Sequence, residues 1–450
     1  MKRDIIKQFL EWKDSSPLKP LLLTGVRQCG KTFVLKEFGN KYFTNCVYIN
    51  FESDDKYCSL FNNDLNPTRI IRDLQILGHE ISAGKTLIIF DEIQACPRAI
   101  TSLKYFAEQT PDLHIVAAGS LLGVAINREG FSFPVGKVDR LSLYPMSFRE
   151  FVVASGKEML LEAISEDYAL EQNLPQHFSE ILESLLLEYY VVGGMPECVK
   201  VWTETHDIKK VEKIQNNILT DYQSDFAKHA PKSDIQKLFW IWDSVPVQLA
   251  KENNKFVFSH VKQGKRSAEL EDALHWLIDA GLIHRLTLVE NIELPLSFFS
   301  DDTYFKVYMS DIGLMRQKIG LSAESVWNQR ERYLTFKGAF TENFVMNELI
   351  KNGIHPYFWR SKNSAELDFL FEDKDRIIPL EAKSSTNTKA KTYSSFCKRF
   401  SPTVGFKVSM KNVGLNQVEN TQTYSLPLYM LWRLGEYLGE IDAPLHFHDY

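Results

Sequence analysis

A run near the N-terminus has the residue types and spacing for phosphate chemistry. Gly25-Val26-Arg27-Gln28-Cys29-Gly30-Lys31-Thr32 fits the pattern GxxxxGK[ST], with Phe33 opening the helical stretch that follows. The two glycines let the backbone turn so that its N–H groups face phosphate oxygens. A helix starting there adds the positive end of its dipole. Lys31 is expected to bridge the β- and γ-phosphates, and Thr32 to offer its hydroxyl to Mg2+. Residues 25–33 are therefore the expected ATP-binding segment, with Lys31 also catalytic and Mg2+ the expected cofactor.

A second run, Leu87-Ile88-Ile89-Phe90-Asp91-Glu92, is a buried strand that ends in two carboxylates. Beside a phosphate loop, Asp91 is expected to hold Mg2+ through water, and Glu92 to orient or deprotonate the attacking water. The next apolar run ends in Gly119-Ser120. Ser120 is expected beside the γ-phosphate as a third catalytic residue.

The C-terminal third carries a different chemistry. Asp368 lies in one strand-like run and Glu381-Ala382-Lys383 in the next, across the turn EDKD. Residues two apart on a strand share a face, so Glu381 and Lys383 should point together toward Asp368. Glu342, on the preceding helix, completes a set that can hold Mg2+ and an activated water, with Lys383 steadying phosphorane charge. Salt-bridged residues of a surface hairpin are the alternative reading. The basic Lys389, Lys391, Lys398 and Arg399 beyond them suit phosphate contacts and a solvated face equally.

These groups need elements to position them. PLLLTG, CVYINFE, TLIIFDE, HIVAAGS and the region of DRLSLYP alternate with helical patterns, which predicts a parallel α/β sheet. Continuous apolar runs suit strands covered on both faces. The middle of the chain reads as helical and acidic. SDIQKLFWIWDSVPVQLAKE then reads as a helix, KFVFSHV as a strand, SAELEDALHWLIDAGLI as a helix, and HRLTLVE with the run after it as a β-hairpin, an order that suggests a winged helix. Lys262, Lys265 and Arg266 lead into that second helix, but Glu269, Glu271, Asp272 and Asp279 make it a poor occupant of a DNA groove. A packing or lid role is the preferred reading.

Bulk properties set the outer bounds. A chain of 450 residues is too long for one ordinary core. Hydrophobic content of 44% and charged content of 24% are those of a globular protein, and the net charge of −6 argues only weakly against a chain coated in nucleic acid, leaving room for a local basic groove. The six cysteines are scattered with no CxxC pair, so reduced thiols are expected in place of a disulfide framework or zinc site. The charged start, MKRDIIKQFLEWKDSS, lacks a signal core, and the greasiest stretch, Leu185 to Val192, is broken by Glu188. A cytoplasmic protein with no membrane partner is expected. His446, His448 and Asp449 read as a frayed tail.

GVRQCGKT, IIFDEIQ, the AAGS strand end, VGKVDRLSLYPMSFREF and GGMPE together resemble the AAA-type ATPases of bacteria and archaea that carry a C-terminal domain of unknown function. The resemblance implies an additional-strand ATPase core, with the phosphate-loop strand central in the sheet. Gly194-Met195-Pro196 looks like the GxP turn of related signal-transduction ATPases, which implies a position near the nucleotide base; a helix-capping turn is the alternative. A trans-acting arginine is implied too, for which Arg128 and Arg140 are the candidates. The ordered set Glu342, Asp368, Glu381, Lys383 resembles the PD-(D/E)xK nuclease core, with Leu367 in place of the usual proline. The expected organisation is α/β: an ATPase core over 1–155, a helical linker or lid over 156–230, a winged-helix-like module over 231–305, and a nuclease-like domain over 306–450. The leading expectation is an ATPase whose nucleotide state controls its C-terminal domain. An ATP-gated, metal-dependent DNA nuclease is one alternative, and an ATP-dependent switch for a protein partner, or one that self-associates, is the other.

Overall fold

The computed structural model describes residues 1–122, 124, 133–249, 255–361, 365–384 and 391–442. The architecture is α/β, in two units: Met1–Pro145 with Leu274–Leu282, and Met146–Ala273 with Ile283–Tyr450. The segment Leu274–Leu282, expected within the winged-helix module, thus belongs to the first unit.

The first unit is built on a parallel sheet of β1 (Leu21–Thr24), β2 (Asn45–Asn50), β3 (Thr86–Asp91), β4 (His114–Ala118) and β5 (Asp139–Ser142). All five match the apolar runs read from the sequence. Their order is β2-β3-β4-β1-β5. β1 is interior, paired with β4 on one side (Leu22 opposite Ala117) and β5 on the other (Leu23 opposite Leu141). Every residue of β3 and β4 is buried. Ile88, Phe90, Ile115 and Ala117 point into one layer with Ile70 and Leu74 of helix Pro67–Ile76 and Ile100, Leu103 and Phe106 of helix Pro97–Gln109. Helix Lys31–Tyr42 covers the opposite face at close range: a Cβ on Gly39 would meet Cys46 Sγ at 2.5 Å and Leu87 Cδ2 at 3.2 Å. That close approach fixes where the helix begins, and with it the phosphate loop.

The second unit opens with helices. Ser147 and Glu150 form a reciprocal capping box that starts helix Phe148–Ala154. Helices Glu158–Asp167, Gln176–Val192, Pro196–Thr205, Ile208–His229 and Ile235–Leu249 follow. The strand expected over KFVFSHV is instead a short helix, Phe258–Val261. Its apolar alternation suits a strand, but the Val257 N–H is taken by Gln248 Oε1 at 2.7 Å. Phe256 stacks on Phe305 and gives its N–H to that residue's carbonyl.

β6 (Ile283–Val289) and β7 (Ser300–Met309) form the expected hairpin, but β6 also pairs in parallel with β8 (Tyr357–Arg360). With β9 (Glu366–Asp373), β10 (Arg376–Ala382), β11 (Val404–Ser409), β12 (Gly414–Val418) and β13 (Thr421–Pro427), these strands make one mixed sheet, ordered β12-β13-β11-β10-β9-β8-β6-β7. The division expected after residue 305 falls inside β7. Helix Glu331–Lys351 packs on this sheet, burying Phe340, Phe344 and Leu349. Among the described residues, no helix is long and apolar enough to cross a membrane.

Candidate functional site

The phosphate loop leaves β1 at Gly25, whose φ of 148° and close approach to β5 both demand glycine: a Cβ there would lie 2.2 Å from the Leu143 carbonyl oxygen. Gln28 and Gly30 also take positive φ, 66° and 96°, before the helix begins at Lys31. Lys31 is buried, and its ammonium donates to the carbonyls of Gly25 at 2.8 Å and Val26 at 2.9 Å. The loop's own carbonyls therefore house the Lys31 charge. Cys29 is buried with its thiol against the Leu143 carbonyl, and Val26 is buried beside it, whereas Phe33 is 57% exposed at the helix start. Arg3 clamps the loop from the N-terminus, donating to the carbonyls of Cys29 at 2.9 Å and Tyr144 at 2.6 Å. Nothing in the spacing around Arg3 announces that role.

The pairing of β2 with β3 sets Asn50 opposite Asp91, and the order β3-β4-β1 leaves that acidic strand end one strand away from the strand that feeds the loop. Thr32 Oγ1 donates to Asp91 Oδ2 at 2.7 Å. Tyr48 gives its hydroxyl proton to the same oxygen at 2.9 Å, and Asn50 Nδ2 donates to the Tyr48 oxygen at 3.3 Å. Burial leads in pushing the Tyr48 phenol up to about 12, and the Asp91 charge adds to it. The Lys36 ammonium lies 3.5 Å from the centre of the Tyr48 ring. Tyr48 escapes a sequence reading because only the β2–β3 register puts it there. Glu92 follows in the left-handed region (φ 50°, ψ 43°), with one carboxylate oxygen accepting from Gln94 Nε2 at 2.6 Å. Ser120 stands just past the end of β4. Lys31, Thr32, Asp91 and Glu92 thus gather at the C-terminal ends of the strands, where open α/β sheets bind ligands. Their donor set fits a magnesium nucleotide: a threonine hydroxyl and an aspartate already joined, with an ammonium within the loop. Of the arginine candidates, Arg140 lies on β5 with its guanidinium 4.4 Å from the Phe133 ring centre, and Arg128 is outside the described residues.

In the second unit, the antiparallel register of β9 and β10 ends with Phe369 opposite Leu380, so Asp368 and Glu381 come next on the facing strands. The Ala382 N–H donates to Asp368 Oδ2 at 2.9 Å, and Lys383 Nζ lies 2.6 Å from Glu381 Oε1. Glu381 is 2% exposed, and its other oxygen has no hydrogen-bond partner among the described residues. Burial, then the charges of Glu381 and Glu342, push the Asp368 carboxyl well above the usual range; burial also raises Glu381, against the pull of Lys383. Burial works against the Lys383 charge, but Asp368 and Glu381 outweigh it and hold its pKa up.

Glu342 turns to other partners. Its Oε2 accepts from the Tyr308 hydroxyl at 2.9 Å and lies 3.5 Å from the Lys306 ammonium. Lys306, 1% exposed on β7, lies 2.6 Å from Glu366 Oε1. With Glu342 so engaged, no group of three or more His, Cys, Asp or Glu residues among the described residues is placed to hold a metal ion, the expected trio Glu342, Asp368 and Glu381 included. Sequence reading missed Lys306 and Tyr308, since β7 lies far from the ExK run in the chain, and with them Glu366 on β9, whose partner is Lys306.

The remaining expectations fall as follows. Gly194 donates its N–H to the buried Asp311 Oδ2 at 2.6 Å and accepts the Met146 N–H at 2.6 Å, so the Gly194-Met195-Pro196 turn is bound within the second unit. Lys265 pairs with Glu269 on the acidic helix, and Lys262 lies over Trp240. Arg399 lies over Trp359 and Phe400. Lys389, His446, His448 and Asp449 are outside the described residues.

Residues 183–325 and 337–429 match two family models, each described as a domain of unknown function (DUF8612 and DUF4143). The chain is 23% identical over 385 residues to an uncharacterized protein of Methanocaldococcus jannaschii, covering 82% of this chain and 76% of that one. It is also 23% identical over 399 residues to an uncharacterized protein of Haemophilus influenzae, covering 84% and 85%. Among solved structures, a Walker-type ATPase of Pyrococcus abyssi aligns over 71% of this chain and 95% of its own, at 17% identity and a TM-score of 0.43. The Holliday junction branch migration motor RuvB of Thermotoga maritima aligns over 66% and 91%, at 16% identity and a TM-score of 0.30. Residues 18–152, which run from the first unit into the opening of the second, match the family model described as an AAA domain, and this stretch is AAA-type ATPase-like.

Proposed function

We propose that the chain binds ATP and hydrolyses it with Mg2+ at the site formed by Gly25–Phe33, Asp91, Glu92 and Ser120. The observation that carries this reading is the 2.7 Å hydrogen bond from Thr32 to Asp91, which unites the loop hydroxyl and the strand-end acid. Lys31 leaves its loop carbonyls for the β- and γ-phosphates, exchanging two neutral acceptors for charged ones. Thr32 and Asp91 would hold the metal, and a bound Mg2+ would neutralise charge on the phosphate oxygens. Glu92 takes the proton of the attacking water, and Ser120 contacts the γ-phosphate. Turnover of ATP by wild type, Lys31→Ala and Glu92→Gln is the test. Both variants should lose at least about 100-fold in kcat, Glu92→Gln while still binding ATP. Equal turnover in all three would sink the proposal.

The nucleotide state is further proposed to control the second unit, which requires contacts that differ between the ATP and ADP states. Hydrogen exchange of residues 337–429 with each nucleotide tests this; identical protection in both rejects it. Partner binding or self-association would be read in the same two states.

A second reading, cleavage of nucleic acid at Asp368, Glu381 and Lys383, is favoured by the facing carboxyls of Asp368 and Glu381 beside the Lys383 ammonium, although the described residues gather no metal-binding group there. Plasmid and single-stranded DNA with Mg2+ or Mn2+, with and without ATP, test it. Cleavage abolished by Lys383→Ala supports it, and cleavage that survives the change assigns the activity elsewhere.

A further inference from the structure

Gln94 lies between Glu92 and the end of β4. It belongs to the short turn Ile93–Ala95 after β3, and its amide Nε2 donates to Glu92 Oε2 at 2.6 Å. The reversed amide would set two oxygens against each other at that distance, so the carboxylate decides which end faces it. The other end, Oε1, is shut off from solvent and has no hydrogen-bond partner among the described residues. Buried acceptors are nearly always paired, so an amide oxygen left without a protein partner beside a carboxylate points to a positional role for this side chain.

What it packs against is Gly119. A Cβ at that glycine would come within 2.0 Å of Gln94 Oε1, the nearest obstacle by more than an ångström. Gly119 is not among the glycines with positive φ, so its backbone does not require glycine. The space it leaves is filled by the Gln94 amide. Glu92 is thus held from two directions. Its left-handed backbone (φ 50°) gives an N–H to Asp91 Oδ1 at 3.0 Å, and its carboxylate is tied by one oxygen to Gln94.

We propose that Gln94 is a positioning residue for ATP hydrolysis, its amide wedged against Gly119 so that Glu92 presents its second oxygen to the attacking water at the end of β4. This rests on the ATPase reading above. Loss of a base's orientation is felt in the chemical step and hardly at all in substrate binding.

The test is steady-state ATP hydrolysis by the full chain, with binding of a fluorescent ATP analogue and the thermal midpoint measured alongside. Gln94→Met keeps the bulk and removes the donor; kcat should fall about 10- to 100-fold with KM and analogue affinity within about threefold. Gly119→Ala should displace the amide and lower kcat in the same way. In a Gln94→Ala background, which has no amide to displace, Gly119→Ala should cost less than about twofold, the signature of a coupled pair. Unchanged kcat in Gln94→Met beside an active wild type overturns the inference and leaves the ATPase reading standing. So does a loss of kcat that follows the thermal midpoint. A wild type that binds ATP without turning it over overturns the ATPase reading and this inference together.

Discussion

Tyr48 and Thr32 donate to one and the same oxygen of Asp91, at 2.9 and 2.7 Å. The two residues come from β2 and from the helix after β1, so the strand-end carboxylate is aimed from two directions by the protein itself. The hydroxyl proposed to hold the metal is within hydrogen-bond reach of the acid proposed to share it.

Tyr48→Phe removes one of those donors and keeps the ring under Lys36. The Mg2+ concentration for half-maximal ATPase activity should rise about three- to tenfold, equivalent to the roughly 1 kcal/mol of a single hydrogen bond. Nucleotide affinity without metal should not change. A magnesium titration of both proteins checks this.

Lys306 is a buried cation whose charge is balanced by Glu366 and Glu342. Lys306→Met leaves those carboxylates uncompensated and should destabilise the second unit by about 3–5 kcal/mol. Adding Glu366→Gln should return part of that loss. Urea unfolding of the single and double variants measures the coupling, and additive losses would show that the pair does not act as a unit.

Gly194→Ala should be poorly tolerated for a reason unconnected with backbone freedom. The added methyl would lie 2.2 Å from the Met146 carbonyl oxygen and 2.8 Å from its nitrogen, backbone atoms that cannot rotate aside. The turn must shift, straining the bond to Asp311, at a cost of about 2–3 kcal/mol. The urea midpoint of the second unit should fall, with analogue binding to the first unit as the control.

His284 makes the second unit sensitive to acid. Burial, helped by the Lys351 charge, lowers its pKa from 6.5 to about 4. Between those values the unfolded chain binds the proton and the folded chain does not, so stability is full above pH 6.5 and is lost as pH falls toward 4. His284→Gln should remove about 1–3 kcal/mol of that decline, read as the difference between the two urea-unfolding profiles across the window. Parallel profiles would show that the ring is protonated within the fold.

Short-range pattern sufficed for the first unit. Five apolar runs became five strands, and the loop Gly25–Thr32 and the pair Asp91–Glu92 stand at strand ends because a phosphate loop and an acidic terminus are each written in a few adjacent residues. The period of two along β9 and β10 likewise put Glu381 and Lys383 beside Asp368. KFVFSHV failed as a strand because alternation describes a face and not a partner, and Gln248 and Phe305 claimed its first N–H groups. The residues that surround the chemistry were decided only in three dimensions. Arg3 on the loop, Tyr48 on Asp91, Gln94 against Gly119 and Lys306 between Glu342 and Glu366 meet their partners through strand order and register, or through close packing of neighbouring strand ends. Sequence by itself determined which groups carry charge and which segments hide from water. Tertiary structure decided which of those groups face one another, because a hydrogen bond or an ion pair depends on ångströms between side chains that the one-dimensional pattern does not contain.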